Sequence, residues 1–362
     1  MGVYGRIAAN RFRQDDRQRP GLTSRSDSMD HLHNSRLETD LQNSSMFKLA
    51  EHFHSLATGS TQVPSRPLTS QLRETIVDAD VVAYHDQLVA EAGPLFSHFL
   101  ASVPYILEEM ARVGVALTRL SQARRTGPEQ RFSFFEVDAF DGSNGRALAA
   151  HSAGLVQTLT CSPNRANQLA FDRFASPEHS LFYPESFFKV IPALLGSPPL
   201  VRFAEGFDYL YETAAFQFYT QDRDLQLSHV KPLLKPGGLA FFLEKVNHVD
   251  PQEYLRREAL KDQDFKTRYF TAAEIEWKRL QMLDQMENGQ VCMDVLVAAL
   301  QRHFKYVFLL WNSTNFCEFV ASDDLDHIEQ FIDLLGPINQ PRSFCFEHAS
   351  LGKQTQKEAP NA

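Results

Sequence analysis

From Gly127 onward the chain alternates between short apolar segments typical of strands and segments with helical periodicity, and this alternation limits the fold more than any other feature. Such alternation is typical of a parallel sheet flanked by helices. A final apolar pair, Lys305 to Ser322, surrounds a turn at 312–315 and predicts an antiparallel hairpin at the sheet edge. The sequence therefore predicts an α/β fold with a seven-stranded, mostly parallel sheet. Its parallel strands are predicted at 132–137, 155–160, 180–183, 207–212 and 239–244.

Helical periodicity dominates the chain before the first predicted strand. Apolar residues recur at helical spacing from Met46 to Ala57 and again through the segment 70–125. Because amphipathic faces need a surface to cover, and the mouth of the sheet offers one, residues 46–128 are predicted to form an N-terminal helical lid. The ligand-binding domain is predicted over 129–351.

That domain contains a predicted helical insert at 250–300, which carries two helix start signals. Asp250 precedes a proline at the first helical position, and Thr271 with Glu274 has the spacing of a capping box. The insert is therefore predicted to hold at least two helices after the fifth strand.

Both ends of the chain lack apolar periodicity and are rich in polar residues, so residues 1–45 and 352–362 are predicted to be disordered tails. The first segment also reads as an extension upstream of a start at Met29 or Met46.

Charge and cysteine usage limit the partners. The chain has 45 acidic and 36 basic residues, a formal net charge of −9 and no basic block outside its N-terminus, so a nucleic-acid partner has no electrostatic support. No apolar run approaches the ~20 residues that span a bilayer, so no membrane partner is predicted. Four cysteines lie far apart without a C-x-x-C pair, which predicts reduced thiols and a cytoplasmic location.

The turn after the first predicted strand is the main candidate for a binding site. It lies in the stretch FFEVDAFDGSNGRAL, Phe134 to Leu148. The loop has Gly142 and Gly145 instead of the three glycines of a dinucleotide fingerprint, so it predicts a ligand other than NAD. Such a turn lies at the crevice where open α/β sheets bind ligands, and glycines allow the backbone to approach the ligand.

Three segments resemble the class I methyltransferases that bind S-adenosylmethionine (SAM). FFEVDAFDGSNG resembles motif I of that family, FDYLYE (Phe207–Glu212) resembles its strand four, and VKPLLKPGGLAFFLEK (Val230–Lys245) resembles the lead-in to strand five. The resemblance covers about residues 130–322 and implies a Rossmann-like fold with SAM as the cofactor.

Shorter strings are similar to the O-methyltransferase domains of hybrid polyketide synthases and their free-standing relatives: EVDAFDGSNGR, LTCSPNRAN, YETAAFQFY and WNSTNF. Those relatives include enzymes that cyclise SAM to azetidine-2-carboxylate. The helical material before motif I and the insert after strand five also resemble the lids of this branch.

The resemblance implies a set of cofactor-binding residues. A carboxylate of Glu136 or Asp138 would neutralise the ammonium or sulfonium charge of SAM. The family's ribose-binding carboxylate is missing after strand two, so Ser162 and Asn164 would bond the hydroxyls. The full predicted set is Glu136, Asp138, Gly142, Asn144, Gly145, Ser162, Asn164 and Glu212.

The resemblance also implies catalytic residues. Polyketide methyltransferases often have a histidine after strand four, and Gln217 stands at that position, while Glu244 keeps the position of the supporting glutamate. Glutamine cannot abstract a proton, so Glu244 and His248 are the candidates for proton handling. Tyr183, Tyr211 and Gln217 are predicted to line the acceptor side.

The predicted function is methyl transfer from SAM, mainly to oxygen, on a small molecule or carrier-bound acyl intermediate of specialised metabolism. Three alternatives remain open: a SAM-consuming cyclase, a metal-assisted methyltransferase with Gln217 and a histidine as ligands, and a SAM-fold protein that binds a partner without catalysis. No metal site is predicted. The sequence leaves the oligomeric state open, with a dimer as one option.

Overall fold

The computed structural model describes residues 41–70, 72–283 and 289–347, so nearly all of the predicted tails lie outside the described residues. Its centre is a seven-stranded sheet in the order β3-β2-β1-β4-β5-β7-β6. Strands β1 to β5 are parallel, and β7 pairs antiparallel with both β5 and β6. The bounds are β1 Phe132–Val137, β2 Val156–Cys161, β3 Ser180–Tyr183, β4 Phe207–Thr213, β5 Leu234–Lys245, β6 Tyr306–Ser313 and β7 Phe316–Ser322. The predicted α/β, Rossmann-like architecture is confirmed.

Two details of the sheet differ from the prediction by more than one residue. β5 begins at Leu234 instead of residue 239, because the K-P-G-G segment already pairs with the start of β4 across a register shift between Phe207 and Tyr209. The hairpin turn is shorter than 312–315, since Ser313 pairs with Phe316 and leaves Thr314 and Asn315 to make the connection. Hydrophobicity did not predict the start of β5 or the hairpin ends of β6 and β7, because backbone pairing continues into polar residues.

Helices surround the sheet. Their bounds are α1 Ser45–Lys48, α2 Ala50–Ala57, α3 Ala79–Glu91, α4 Pro94–Leu100, α5 Ile106–Arg124, α6 Ser143–His151, α7 Asn167–Phe174, α8 Pro192–Leu195, α9 Arg223–Val230, α10 Pro251–Leu260, α11 Ala272–Lys278, α12 Met293–His303 and α13 Leu325–Leu334. Short 3-10 turns occur at Arg73–Thr75, Phe187–Lys189, Leu200–Phe203, Phe216–Phe218, Lys231–Leu233, Lys266–Arg268 and Arg342–Phe344, and π-helical turns at Lys261–Phe265 and Arg279–Leu283.

The helices before β1 have two different positions. Helix α5 is buried on nearly all sides and belongs to the same hydrophobic core as β1, β4 and β5. Residues of α1, α2 and α4 instead line a cavity at one edge of the sheet, as described below. The sequence predicts that every N-terminal helix belongs to a lid, whereas the apolar and small residues of α5 let it pack into the core.

Both predicted start signals of the insert are confirmed. The side chain of Asp250 accepts a hydrogen bond from the amide of Gln252 at 2.9 Å. Thr271 and Glu274 form a reciprocal capping box, with distances of 3.2 and 2.6 Å. The final helix α13 starts at Leu325, where Asp324 caps it by accepting from the amide of His327.

The four cysteines are free thiols, two of them buried. Within the described residues, no helix is long and apolar enough to cross a membrane. The cytoplasmic location stays a prediction.

Candidate functional site

A cavity opens at the carboxyl ends of the parallel strands, where the sequence predicted a binding crevice. The cavity and the open solvent at its mouth together occupy about 1040 Å3. The end of β1 contributes Asp138 and Phe140, the end of β2 contributes Ser162 to Asn164, and the end of β4 contributes Thr213. Helices α2 and α4 and the insert close the other sides with Phe53, Phe99 and Met282. This is the position that open α/β sheets use for ligands.

Asp138 places a buried carboxylate in the cavity wall directly after β1. It accepts hydrogen bonds from the amide of Phe187 at 2.8 Å, from the thiol of Cys161 at 3.2 Å and from the hydroxyl of Tyr219. Burial raises the pKa of Asp138 to about 6, although these hydrogen bonds oppose the rise. Near neutral pH the cavity therefore presents a carboxylate held in a fixed orientation.

The loop after β1 takes left-handed backbone angles at alternate residues, with φ of 47° at Asp138, 51° at Phe140 and 68° at Gly142. Such angles are uncommon for residues other than glycine. Asp138 and Phe140 therefore carry side chains where the backbone would suit glycine, and both side chains line the cavity. The Phe140 ring packs 4.8 Å from the ring of Phe99. The sequence analysis missed this feature because it looked for glycines and not for the backbone they favour.

The two glycines of the loop face protein instead of the cavity. A Cβ on Gly142 would lie 2.6 Å from the Thr160 hydroxyl, and one on Gly145 would lie 2.7 Å from Glu136 Oε2. These glycines allow the loop and α6 to approach β1 and β2 closely. Glu136 and Asn144 also lie behind the cavity wall, where Glu136 accepts from Thr160 at 2.9 Å and Asn144 accepts from Tyr84 at 3.0 Å. Burial raises the pKa of Glu136 to about 7.

The ends of β2 and β4 supply polar side chains to the cavity. Ser162 Oγ accepts from the side chain of Asn167 at 3.0 Å. At and just after the ends of β2 and β4, three buried atoms on cavity-lining residues have no hydrogen-bond partner among the described residues: Asn164 Nδ2, Thr213 Oγ1 and Gln217 Oε1. Buried polar atoms are normally satisfied, so these three atoms mark a place that a polar ligand can complete.

The remaining predicted site residues do not line the cavity. Glu244 is paired with Arg223, at 2.8 Å from Oε1 to Nε, and burial raises its pKa against the influence of this arginine. Glu212 accepts from the amide of Phe216 at 3.0 Å and braces the loop after β4. His248 accepts from the amide of Asp250 in a turn outside the cavity. Tyr211 lies in the sheet core, and Tyr183 ends β3 at a half-buried position.

Four lysines line the cavity at the side of the insert, and the sequence analysis did not select them: Lys245, Lys261, Lys266 and Lys278. Lys245 is the last residue of β5, so its place at the carboxyl edge was a usable signal. The other three occur in amphipathic helical sequence, where lysines ordinarily face solvent. They reach the cavity because the π-helical turn at Lys261–Phe265 and helix α11 fold back over it.

His98 on α4 also lines the cavity and was not predicted. Its Nδ1 lies 2.9 Å from the carbonyl oxygen of Val63. A carbonyl can only accept, so Nδ1 is the protonated nitrogen and Nε2 carries a lone pair, with no partner among the described residues. Burial and the nearby ammonium of Lys278 hold the pKa of His98 well below its usual value. A neutral imidazole with a free lone pair therefore faces the cavity at neutral pH.

In the described part of the chain, no group of three or more His, Cys, Asp or Glu side chains has the arrangement of a metal site.

No protein-family model matches the sequence, and the search of curated proteins finds no match. Solved structures that resemble the chain include a "possible exported protein" from Bordetella parapertussis, at 13% identity and a TM-score of 0.41, covering 77% of this chain and 96% of that one. Another is the plantazolicin methyltransferase BpumL with a pentazolic desmethylPZN analog and S-adenosylhomocysteine (SAH), at 11% identity, TM-score 0.39, and 73% and 81% coverage. A third is the CurJ carbon methyltransferase, at 14% identity, TM-score 0.38, and 77% and 70% coverage. At these values the likeness carries no argument about function.

Proposed function

We propose that the protein is a SAM-dependent methyltransferase that acts on a small molecule or a carrier-bound acyl intermediate, mainly at oxygen. The observation that carries this proposal is the cavity at the carboxyl edge of β1, β2 and β4. Its lining includes the Asp138 carboxylate and the unpartnered polar atoms of Asn164, Thr213 and Gln217. The assignment to specialised metabolism of polyketide or nonribosomal-peptide type rests on the short string resemblances alone.

The residues present fit SAM by charge and by hydrogen-bonding capacity. The Asp138 carboxylate can bind the ammonium or sulfonium group, and the amide of Asn164 can donate to a ribose hydroxyl. The rings of Phe99, Phe140 and Phe218 line the same cavity, and aromatic faces favour a sulfonium cation. When bound, SAM supplies an electrophilic methyl group. The chain's own contributions are alignment of the two reactants and exclusion of water by the helices over the cavity.

We assign the removal of the acceptor proton to His98. Its Nε2 has a free lone pair, its low pKa keeps it neutral, and Val63 fixes the orientation of the ring. This replaces the predicted roles of Glu244, which is paired with Arg223, and of His248, which lies outside the cavity. A positioned base contributes about 10²–10⁴-fold to the rate. With an acceptor identified, His98→Gln is expected to lower kcat by that order while leaving the Kd for SAM unchanged.

Calorimetric titration with SAM and SAH tests the cofactor assignment. The wild-type protein should bind both, and Asn164→Ala and Gln217→Ala should weaken binding about tenfold or more. His248→Ala is the matched control, because His248 lies outside the cavity, and it should bind like the wild type. Absence of binding to the folded wild-type protein would refute the proposal.

A second candidate is the SAM cyclase, favoured by the neutral Gln217 with its unpartnered Oε1 at the place where related methyltransferases have a base. A carbonyl oxygen can hold an uncharged amine in line with a carbon of the same molecule without removing a proton. Incubation with SAM alone distinguishes the two. Methylthioadenosine above the non-enzymatic rate, with a four-membered imino acid, would establish the cyclase. Formation of SAH only after addition of an acceptor supports the methyltransferase. Binding of SAM with neither reaction, across a broad acceptor panel, would support a non-catalytic protein.

A further inference from the structure

The four cavity lysines outnumber the carboxylates that pair with them. Lys245 and Lys261 share one oxygen of Glu258, at 3.0 and 2.5 Å. Lys266 pairs with Asp262 at 2.6 Å. Lys278 has no carboxylate within ion-pairing distance among the described residues and instead donates to the hydroxyl of Ser102.

With all four lysines protonated, four ammonium groups around two carboxylates would leave an excess of positive charge in a cavity that is also lined by aromatic rings. An unbalanced buried charge is costly, and proteins normally neutralise it with a partner or by a change of protonation. The lysines show where an incoming anion would be neutralised: three of them belong to the insert and the fourth, Lys245, ends β5.

We propose that this lysine group binds an oxyanion, a carboxylate or a phosphate, carried on an apolar body that is the acceptor substrate. The apolar body fits the cavity because rings and aliphatic side chains, among them Phe53, Leu95, Phe99 and Met282, line the same cavity as the lysines. The proposal rests on the proposed function in that it treats this end of the cavity as the acceptor site.

The protonation of the lysines supports this arrangement. Burial and the neighbouring Lys261 lower the pKa of Lys266 to about 8, and burial with Lys266 lowers the pKa of Lys278 well below its usual value. The charged and titratable groups around these two lysines are Lys245, Lys261, Glu258, Asp262, His52, His98 and Arg279, which follows Lys278 and lines the same cavity. An anion bound among them raises the lysine pKa values again, so its binding is coupled to proton uptake near pH 8.

Four probes test the proposal on the full-length protein: octanoate, octyl phosphate, octanol as the neutral control, and inorganic phosphate. Calorimetry at pH 8 in two buffers of different ionisation enthalpy gives both the affinity and the proton uptake. Octanoate or octyl phosphate should bind at least tenfold more tightly than octanol, with proton uptake that octanol lacks. The tighter of the two identifies the oxyanion, and weaker binding of inorganic phosphate shows that the apolar body contributes. Equal affinity of the neutral and anionic probes, or anion binding without proton uptake, would overturn the proposal.

Lys278→Met keeps the length of the side chain and removes its charge. It should weaken binding of the anionic probe at least tenfold and leave octanol unchanged, whereas Lys305→Met, on an exposed residue outside the cavity, should change neither. Unchanged anion affinity in a folded Lys278→Met protein would contradict the role of this lysine. If the variant does not fold, the wild-type titration from pH 7 to pH 9 decides: octanoate affinity should fall as Lys266 loses its proton, while octanol affinity stays constant.

SAM titration of the same preparations separates this proposal from the proposed function. A protein that binds SAM but shows no preference for anions refutes the oxyanion site alone. A protein that binds the anionic probe with proton uptake but does not bind SAM refutes the methyltransferase and leaves the oxyanion site standing.

Discussion

Asp138 combines two features that are unfavourable for the free energy of folding, a left-handed backbone and a buried carboxylate. Left-handed conformations of residues other than glycine cost on the order of 1–3 kcal/mol and persist where the surroundings hold them. Here Phe187, Cys161 and Tyr219 supply the hydrogen bonds that hold the side chain. A carboxylate kept in the cavity at such a cost is well suited to bind a cation.

The pH dependence of SAM binding tests this role of Asp138. Its pKa of about 6 means that it becomes protonated as the pH falls from 7.5 to 5, and the attraction for a cationic ligand is lost with its charge. The Kd for SAM should therefore rise over that range. Asp138→Asn should bind SAM weakly at pH 7.5 and show little further change on acidification, as measured by calorimetry. Wild-type affinity independent of pH between 5 and 7.5 would contradict the assignment.

Glu318 in β7 gives a residue-scale prediction about stability. Burial and the carboxylate of Glu109 raise the pKa of Glu318 well above its usual range, so the folded state keeps a proton that the unfolded state releases above about pH 4.5. Stability is therefore lost as the pH rises through the range between these two pKa values. Glu318→Gln should have a melting temperature that falls less than that of the wild type between pH 5.5 and 8.5. Glu276→Gln, on an exposed residue, should follow the wild type.

Among the elements, the junction of β1 and α6 is sensitive to substitution at Gly142. Gly142 has a φ of 68°, and a Cβ there would lie 2.6 Å from the Thr160 hydroxyl and 3.0 Å from Phe171. Gly142→Ala should lower the free energy of unfolding by about 1–3 kcal/mol through backbone strain and crowding. Gly127→Ala is the control, since a Cβ at Gly127 meets nothing within 4 Å. Equal urea midpoints of the two variants would show that the loop adapts.

The strands were largely predictable from the sequence because each parallel strand is a compact apolar run between polar or small residues. Their ends were less predictable, as the polar start of β5 shows, since backbone pairing needs no apolar side chain. Helix α5 lies within the segment 70–125 that was predicted to be helical, but the whole segment was assigned to the lid. Hydrophobic periodicity identifies an apolar face without identifying the surface that covers it.

The candidate site was predictable where it follows the strand ends. Asp138, Ser162, Asn164 and Gln217 were selected from the sequence and line the cavity. His98 and Lys278 were not, because they reach the cavity from helices far from the strands in sequence. Nothing in the local sequence distinguishes a helical lysine that faces a cavity from one that faces water.

At the scale of the whole molecule, two of the hydrophobic clusters among the described residues differ greatly in size. The large one joins the sheet to α5 and other helices, and the small one joins Leu49, Phe53, Leu56, Ala57, Leu95 and Met282 beside the cavity. Few buried apolar contacts allow local opening at low free energy. Helix α2 should therefore exchange its amide hydrogens faster than α5.

Binding of SAH with an acceptor should slow exchange in α2 and leave α5 unchanged, as measured by hydrogen exchange with mass spectrometry. The physical reason is that Phe53, Leu95 and Met282 belong both to the small cluster and to the cavity wall. Equal protection of α2 and α5 in the free protein would contradict this division of stability.

Because Phe53, Leu95 and Met282 belong both to the small cluster and to the cavity wall, the acceptor can be identified from its effect on stability. A compound that fills the cavity completes the packing of Phe53 and its neighbours, and a ligand that binds the folded state alone raises the melting temperature in proportion to the logarithm of its concentration over its Kd. The small cluster, which we expect to open at low free energy, is then stabilised by a compound that fills the cavity. A collection of natural carboxylic acids and phosphate esters can be ranked by thermal shift in the presence of SAH, before any turnover assay exists.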